Sequence, residues 1–115
     1  MTDRVMALPH SQPLESIDLR PLGTALRGAV TTSLLKTATL QLMRLVLQAG
    51  RSVPEHSVAG AITVQCLEGE AVLTTPSRTC RLPAGCLVML EGGEPHAVHA
   101  VTDASLLVTV LLQPA

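Results

Sequence analysis

The fold of this chain is decided by the stretch from residue 50 to residue 96, which opens with GRSVPEH (residues 50–56) and closes with EGGEPH (residues 91–96). Three runs rich in Val, Leu and Ile lie between these pieces, and Gly, Pro and Ser residues separate the runs. His56 and His96 each follow a Gly/Pro turn, at or near the start of a strand-like run. If those strands are neighbours in a small barrel, both imidazoles can point into one cavity. The stretch therefore predicts a β-barrel with a two-histidine site, although it names no substrate.

Short strand-like runs separated by turn residues continue through most of the chain. This pattern is typical of an all-β sandwich or barrel. A helix is the alternative for residues 37–48, because Leu and Met are good helix formers. We expect one hairpin to join 61–67 to 71–75, and a second to join 96–101 to 105–112. The expected strands span residues 30–36, 37–48, 61–67, 71–75, 78–82, 86–90, 96–101 and 105–112.

Residues 1–28 are expected to form an N-terminal arm ahead of a barrel domain at residues 29–115. Within the arm, residues 15–20 alternate polar and apolar side chains, which is the period of a strand with one buried face. Pro21 and Gly23 end this run. An isolated edge strand needs a partner for its backbone groups, and a second subunit would supply one. We therefore predict a homodimer with a contact in the arm.

The composition excludes several classes of function. The chain contains no Phe, Tyr or Trp, so any pocket is aliphatic and offers no ring on which a nucleic-acid base could stack. The net charge of −1 comes from 8 basic and 9 acidic residues, without a basic stripe that would neutralise phosphates. No apolar run reaches the ~18 residues of a membrane helix, and no secretory signal is recognisable. We expect a cytoplasmic protein with reduced thiols and with neither a nucleic-acid nor a membrane partner.

Two motifs in the chain resemble those of the cupin family. The first motif of the family is G-x5-H-x-H-x(3,4)-E-x6-G, and the second is G-x5-P-x-G-x2-H-x3-N. The resemblance covers residues 37–112 and implies a double-stranded β-helix, or jelly roll, with the site in the mouth of the barrel. Small single-domain cupins of this RmlC-like type are often dimers. The matching positions are Gly50, His56, Gly69, Gly85, Gly93 and His96.

The chain departs from the family at positions that usually hold a metal. The second histidine of the first motif is replaced by Val58, and the glutamate falls at Ile62. The final asparagine of the second motif falls at Ala100. Of the usual metal ligands, only His56 and His96 therefore remain, whereas a catalytic divalent metal normally has three or more protein ligands.

Further pocket residues are expected on the strand at residues 61–67. Val64 and Cys66 share the parity of Ile62 and can face the cavity, where the thiolate of Cys66 would bind Zn²⁺ strongly. Gln65 has the opposite parity, so its amide oxygen should face the other side of the strand.

The candidate cofactor is a divalent transition metal (Zn, Ni, Fe or Mn) held by His56 and His96. The alternative is a pocket that holds these imidazoles without metal. Glu55, next to His56, and Glu94, two residues before His96, are expected to be exposed loop charges. The alternative is that either carboxylate orients an imidazole.

The other polar candidates are assigned to the surface or to the core. His99 lies three residues after His96, so in a strand it faces the opposite side and takes a surface or interface role. His10, in the arm, should be solvated. Arg44 is expected to face outward, with an anion contact inside the barrel as the alternative. All three cysteines are expected to be small buried apolar residues.

Three functions remain open at this point. The first is binding of a small molecule, such as a small organic acid, in an aliphatic pocket with two imidazoles as polar anchors. The second is a metal-dependent cupin enzyme, a dioxygenase or an isomerase. The third is a scaffold without catalytic activity, which the replacements Val58 and Ile62 favour. The sequence does not decide whether the protein is an enzyme.

Overall fold

The computed structural model describes residues 5–6 and 10–112 of the 115-residue chain. Ten β-strands and one short 3-10 helix, Gly23–Gly28, lie in these residues. No helix among them is long and apolar enough to cross a membrane. The strands are β1 (Val5–Met6), β2 (Thr31–Lys36), β3 (Leu40–Leu47), β4 (Ser52–His56), β5 (Ile62–Glu68), β6 (Glu70–Thr74), β7 (Thr79–Pro83), β8 (Leu87–Leu90), β9 (His96–Ala100) and β10 (Ala104–Leu111).

The strands build two sheets that pack face to face. One sheet has the order β1-β2-β3-β10-β5-β8, and the other has the order β4-β9-β6-β7. From β3 onward the chain crosses repeatedly between them, which is the jelly-roll arrangement. The predicted all-β double-stranded β-helix is therefore confirmed. Its aliphatic core includes the fully buried side chains of Leu47, Val64, Cys66, Leu82 and Leu106.

Alternating side chains explain why these segments form strands. On β5, Ile62, Val64 and Cys66 are buried, and the residues between them are only half-buried. This period of two turns one face of the strand to the core. Eight of the predicted strands are present, and the helix alternative for residues 37–48 is excluded because β3 lies there.

Both predicted hairpins are wrong, although their strands exist. β5 and β10 lie in the six-stranded sheet, whereas β6 and β9 lie in the four-stranded sheet. The β5–β6 turn passes through Gly69, whose φ is +81°. A Cβ at Gly69 would lie 2.1 Å from the carbonyl oxygen of Asp103, in the β9–β10 connection. The two connections thus pack against each other, and each carries the chain from one sheet to the other.

The strand predicted at residues 15–20 is also wrong. Ile17 and Leu19 are half-buried and their neighbours are exposed, so the alternation reflects one-sided contact with the barrel without sheet pairing. Asp18 folds the segment locally, because its carboxylate accepts hydrogen bonds from the guanidinium and the backbone N–H of Arg20. These bonds hold the pKa of Asp18 well below its ordinary value.

The edge strand of the arm is β1 instead. It pairs in parallel with Thr31 and Thr32 of β2, in the same chain. The homodimer was predicted from a strand at residues 15–20 that does not form, and it stays a prediction. The division of the chain into an arm and a barrel domain between residues 28 and 29 also stays a prediction.

The arm packs on the outer face of the six-stranded sheet. Arg44 of β3 points to this face, as predicted, but it is only 8% exposed. Its Nη2 donates to the carbonyl oxygen of Arg20 at 2.9 Å, and its Nε has no acceptor among the described residues. The carboxylate of Glu68 accepts from the N–H groups of Leu22, at 2.7 Å, and Gly23, at 3.1 Å. These contacts fasten the arm to β3 and to the end of β5.

Candidate functional site

A β-bulge brings His56 to the inner face of the barrel. In the antiparallel pair of β4 and β9, Val53 lies opposite Val98 and His56 lies opposite His96. Three steps along β4 therefore match two steps along β9, so β4 carries one extra residue. Val53 packs against the core, and simple alternation would turn a residue three positions later to solvent. The extra residue reverses that parity and turns His56 inward.

Pro54 fits this bulge because it has no backbone N–H to donate to a ladder. The same proline is the reason why β4 was not predicted, since a proline within a run demotes the run as a strand. The bulge with its proline therefore explains both why β4 was not predicted and why His56 faces the cavity.

The two imidazole rings lie beside each other at the mouth of the barrel. Their centroids are 4.4 Å apart and their planes are inclined at 56°. His96 is only 3% exposed, whereas His56 is exposed to solvent. His56 therefore lies nearer to solvent, and His96 lies deeper in the barrel.

Hydrogen bonds to backbone carbonyls define the tautomer of both imidazole rings. Nδ1 of His56 lies 3.0 Å from the carbonyl oxygen of Pro54, and Nδ1 of His96 lies 2.9 Å from that of Glu94. A carbonyl oxygen can only accept, so each Nδ1 carries a proton and donates it. In the neutral ring this leaves the lone pair on Nε2, which is free to bind a proton, a donor or a metal. The same type of bond orients metal-binding histidines in other proteins.

The rings line two adjoining cavities. The inner cavity has a volume of about 160 Å³, and the outer cavity has a volume of about 310 Å³. Apart from the two histidines, every side chain of the inner cavity is apolar. These apolar residues are Met43, Leu45, Val53, Ile62, Val64, Val98 and Val108.

Gln41 adds a third polar side chain, at the wall of the outer cavity. It is half-buried on β3 and shares the parity of Met43 and Leu45, both of which line the inner cavity. Its amide can donate and accept hydrogen bonds. Gln41 was not among the predicted site residues, because the prediction for residues 37–48 did not decide which face turned inward. The alternation of Gln41, Met43 and Leu45 is the signal that would have identified it.

Three of the six residues predicted to line the pocket or orient an imidazole lie at the cavities. Val58 and Ile62 line the outer cavity, and Val64 lines the inner one. Gln65 is half-buried with the opposite parity, as predicted. Glu94 orients His96 through its backbone carbonyl and not through its carboxylate.

Cys66 shares the inward parity but lines neither cavity. It is fully buried, and its Sγ lies 3.4 Å and 3.5 Å from the carbonyl oxygens of Glu68 and Gly69. Burial raises the pKa of the Cys66 thiol. The thiol is therefore a protonated member of the core and not a partner of the histidines.

The described residues do not assemble a conventional metal centre. No group of three or more His, Cys, Asp or Glu side chains in residues 10–112 could hold a metal ion. His56 and His96 supply two nitrogen ligands, and Gln41 supplies an amide oxygen at the same cavity. This donor set falls short of the three nitrogen, sulfur or carboxylate ligands of catalytic zinc sites.

The remaining histidines lie outside the site. His99 is exposed on the outer face of β9, as predicted, and its Nδ1 lies 2.7 Å from Oγ of Ser52. His10 is exposed, with Nε2 3.0 Å from Oγ of Ser33.

The prediction that all three cysteines are buried holds for only one of them. Cys66 is buried and Cys80 is half-buried, but Cys86 is exposed. Cys86 ends a turn just before β8, and β8 is an edge strand. No strand of the described chain covers it on that side.

Comparison with known proteins places the fold in a family. The model of the family described as "Cupin domain" matches residues 43–112. Among curated protein sequences, none matches this chain significantly.

Three solved structures illustrate the structural similarity. A conserved protein of unknown function from Streptococcus pyogenes is 23% identical, over 96% of this chain and 100% of that chain, with a TM-score of 0.74. An RmlC-like cupin family protein with a double-stranded β-helix fold from Methanocaldococcus jannaschii is 19% identical, over 74% of this chain and 81% of that chain, with a TM-score of 0.68. A mutant of salicylate 1,2-dioxygenase from Pseudoaminobacter salicylatoxidans is 18% identical, over 70% of this chain and 25% of that chain, with a TM-score of 0.65.

Proposed function

The chain belongs to the cupin domain family, and from that premise we propose that it binds a small organic acid in the cavity behind His56 and His96. The observation that carries the proposal is the convergence of two imidazoles, with 4.4 Å between centroids, on a cavity that is otherwise apolar. Small-molecule sites commonly have this form, with an apolar lining and a few polar groups that orient the ligand.

The cavity volumes limit the size of the ligand. The inner cavity of about 160 Å³ has room for roughly five water-sized groups at ~30 Å³ each. A carboxyl group at the imidazole pair, with an aliphatic tail of a few carbons directed toward Val64 and Val98, fills this space. The outer cavity, with Gln41 on its wall, takes a second polar group such as a keto oxygen.

Binding of a carboxylate by this pair requires a proton. In the neutral tautomer each Nε2 is an acceptor, and two acceptors do not attract an anion. Protonation of one Nε2 creates the donor and the positive charge that a carboxylate needs. At a pH at which both rings are neutral, binding of the acid should therefore be accompanied by proton uptake.

Isothermal titration calorimetry with a series of straight-chain acids tests the proposal. Affinity should rise with chain length until the inner cavity is full and then level off or fall. Titrations in buffers that differ in ionisation enthalpy measure the proton uptake. His56→Ala and His96→Ala should each weaken binding by about 10-fold or more, which is the effect of losing a charge-assisted hydrogen bond.

His99→Ala is the matched control, because His99 lies on the same strand as His96 but on the outer face. It should leave the affinity unchanged. Equal losses in all three variants, or binding without proton uptake, would contradict the assignment of the imidazole pair. If no acid in the series binds or raises the melting temperature, the scaffold without a ligand becomes the better description.

A metal-dependent enzyme is the second candidate. The observation in its favour is that both Nδ1 atoms donate to carbonyl oxygens, so both Nε2 lone pairs are available. A relative in fold is named as salicylate 1,2-dioxygenase. A divalent metal there would polarise a carbonyl or carry oxygen. Since the residues that the structure describes supply only two imidazoles and one amide at the cavity, the donor set fits weak metal binding better than a resident catalytic metal.

Elemental analysis of protein purified without a histidine tag separates these two functions. Binding of Zn²⁺, Ni²⁺, Fe²⁺ or Mn²⁺ in a one-to-one ratio, lost in the variant that lacks both imidazoles, would favour the enzyme. Metal below that ratio, with acid binding intact, would favour the binding protein.

A further inference from the structure

Two cysteines lie side by side at the junction of β5 and β8. The antiparallel pairing of these strands runs from Ile62 opposite Leu90 to Gln65 opposite Leu87. One step further, the N–H of Cys66 donates to the carbonyl oxygen of Cys86 at 2.9 Å. This step lies beyond the last regular pair of the sheet but keeps its register.

A glycine bulge holds the two cysteines in place. Gly85 has a φ of +90° and donates its N–H to the carbonyl oxygen of Cys66 at 2.8 Å. The N–H of Cys86 closes the preceding turn on the carbonyl oxygen of Pro83. Gly85 and Cys86 therefore stand together opposite Cys66, which is the pattern of a G1 bulge. The bulge absorbs Gly85 and leaves Cys86 as the partner of Cys66.

The two side chains share the inner face of the sheet. Val64 and Val88 are opposite partners, and both pack in or against the core. Cys66 follows Val64 by two residues and Cys86 precedes Val88 by two, so both have the same parity as these valines. Cα atoms of opposite residues in an antiparallel pair lie about 4.5–5.5 Å apart, which falls within the range of about 4.4–6.8 Å that a disulfide spans.

The two thiols differ in accessibility. Cys86 is exposed, whereas Cys66 is fully buried. Burial raises the pKa of Cys66, and the proximity of Cys86 and of the carboxylates of Glu70 and Glu68 raises it further. An oxidant in solution therefore reaches Cys86 first, while Cys66 lies next to Cys86 as a buried, protonated thiol.

We propose that Cys66 and Cys86 form an oxidant-sensitive dithiol site, which peroxide converts into a disulfide between β5 and β8. In the first step the thiol of Cys86 releases its proton, the thiolate attacks one oxygen of hydrogen peroxide and the O–O bond breaks. A sulfenic acid forms on Cys86, and the departing hydroxide takes up the released proton and leaves as water. In the second step the sulfur of Cys66 attacks the sulfur of Cys86, and the departing hydroxide takes the proton of Cys66 and leaves as water. The two thiols lose two electrons and two protons, and one peroxide becomes two waters.

Cys80 provides an internal control. It lies on β7, opposite Leu73 and in the other sheet. It is half-buried and has no backbone pairing with either of the other two cysteines. The proposal therefore predicts that Cys80 stays reduced while Cys66 and Cys86 become linked.

Peptide mapping of the full chain tests this prediction without any substitution. The reduced protein is treated with one equivalent of hydrogen peroxide, blocked with iodoacetamide and digested with trypsin under non-reducing conditions. Trypsin places the three cysteines on separate peptides, which are 52–78 (Cys66), 79–81 (Cys80) and 82–115 (Cys86). The expected product is 52–78 joined to 82–115, in a protein whose intact mass is lower by about 2 Da. The linked fraction should not change on roughly tenfold dilution, because the reaction is intramolecular.

Two variants extend the test. Cys80→Ser should form the linked product as the unaltered chain does. Cys66→Ser should stop at the sulfenic acid of Cys86, which dimedone traps. Linked peptides that contain residues 79–81, disulfide-bonded dimers that increase with concentration, or an alkylated Cys66 beside an over-oxidised Cys86 would each overturn the proposal. None of these residues lines the cavity of the proposed acid site, so either proposal can fail without the other.

Discussion

Enlarging one wall residue of the inner cavity should stabilise the fold and weaken ligand binding together. Val108 on β10 is half-buried and lines both cavities. Val108→Ile keeps the β-branched shape that suits a strand and adds one methylene toward the void. Burying a methylene contributes about 0.8 kcal/mol. Filling ~30 Å³ of cavity at ~24 cal/mol per Å³ gives about 0.7 kcal/mol, so the two estimates agree.

Equilibrium unfolding in urea measures this change in the free energy of unfolding. For a domain of this size the melting temperature should rise by about 3–5 °C. Val72→Ile is the matched control, because Val72 is half-buried on β6 with the parity opposite to buried Ala71 and Leu73. Its added methylene meets no cavity, so its effect should stay within about 0.5 kcal/mol. Destabilisation by Val108→Ile of about 1 kcal/mol or more, with Val72→Ile neutral, would show that the wall is already close-packed and would refute the reasoning.

The effect on binding should depend on the ligand. In the Val108→Ile variant, acids whose tails fill the inner cavity should lose affinity, because the new methylene occupies part of their space. The shortest acids should bind as before, since the imidazole pair is unchanged. A uniform loss across the series would place the ligand elsewhere.

Two further substitutions test the packing that supports the site. Glu68→Ala removes the acceptor of three hydrogen bonds to the arm and to β10. The substitution should lower the free energy of unfolding by about 1–3 kcal/mol. It should also speed tryptic cleavage after Arg27, which time-resolved mass spectrometry would follow. Gly69→Ala should cost about 3 kcal/mol or more in urea unfolding, because its Cβ would meet the carbonyl oxygen of Asp103. Gly85→Ala, at a similar φ but with no atom within 4 Å of the added Cβ, should cost only about 1–2 kcal/mol; equal costs would contradict the close contact at Gly69.

Strand positions were predictable from the sequence because each strand carries its own period. The alternation of Ile62, Val64 and Cys66 is local information, and so is the turn at Pro83 to Gly85. The family motifs added the jelly-roll topology. The pairing of strands was not local information, and both hairpins failed for that reason. A short turn such as Glu68-Gly69-Glu70 does not reveal whether the next strand pairs with the previous one or crosses to the opposite sheet.

The site was predictable only in part, for a related reason. His56 and His96 were identified from the motif and from their turns, and the structure places them opposite each other. Gln41 was missed because its strand was assigned without an inward face. The apparent strand at residues 15–20 had the correct one-sided burial, but nothing in the sequence marked the hydrogen bonds that fold Asp18 onto Arg20.

The bulge in β4 makes the site depend on a count of residues and not only on their identity. His56 lies opposite His96 although it comes three residues after Val53, because the bulge absorbs the extra residue. A relative that lost that residue would carry its histidine two residues after the valine, where simple alternation turns the ring inward without a bulge. A relative that gained one further residue beside the same single-residue bulge would keep both histidines in its sequence but turn one ring outward. Homologues should therefore be compared by the length of this segment and by the presence of the bulge before they are compared by their histidines.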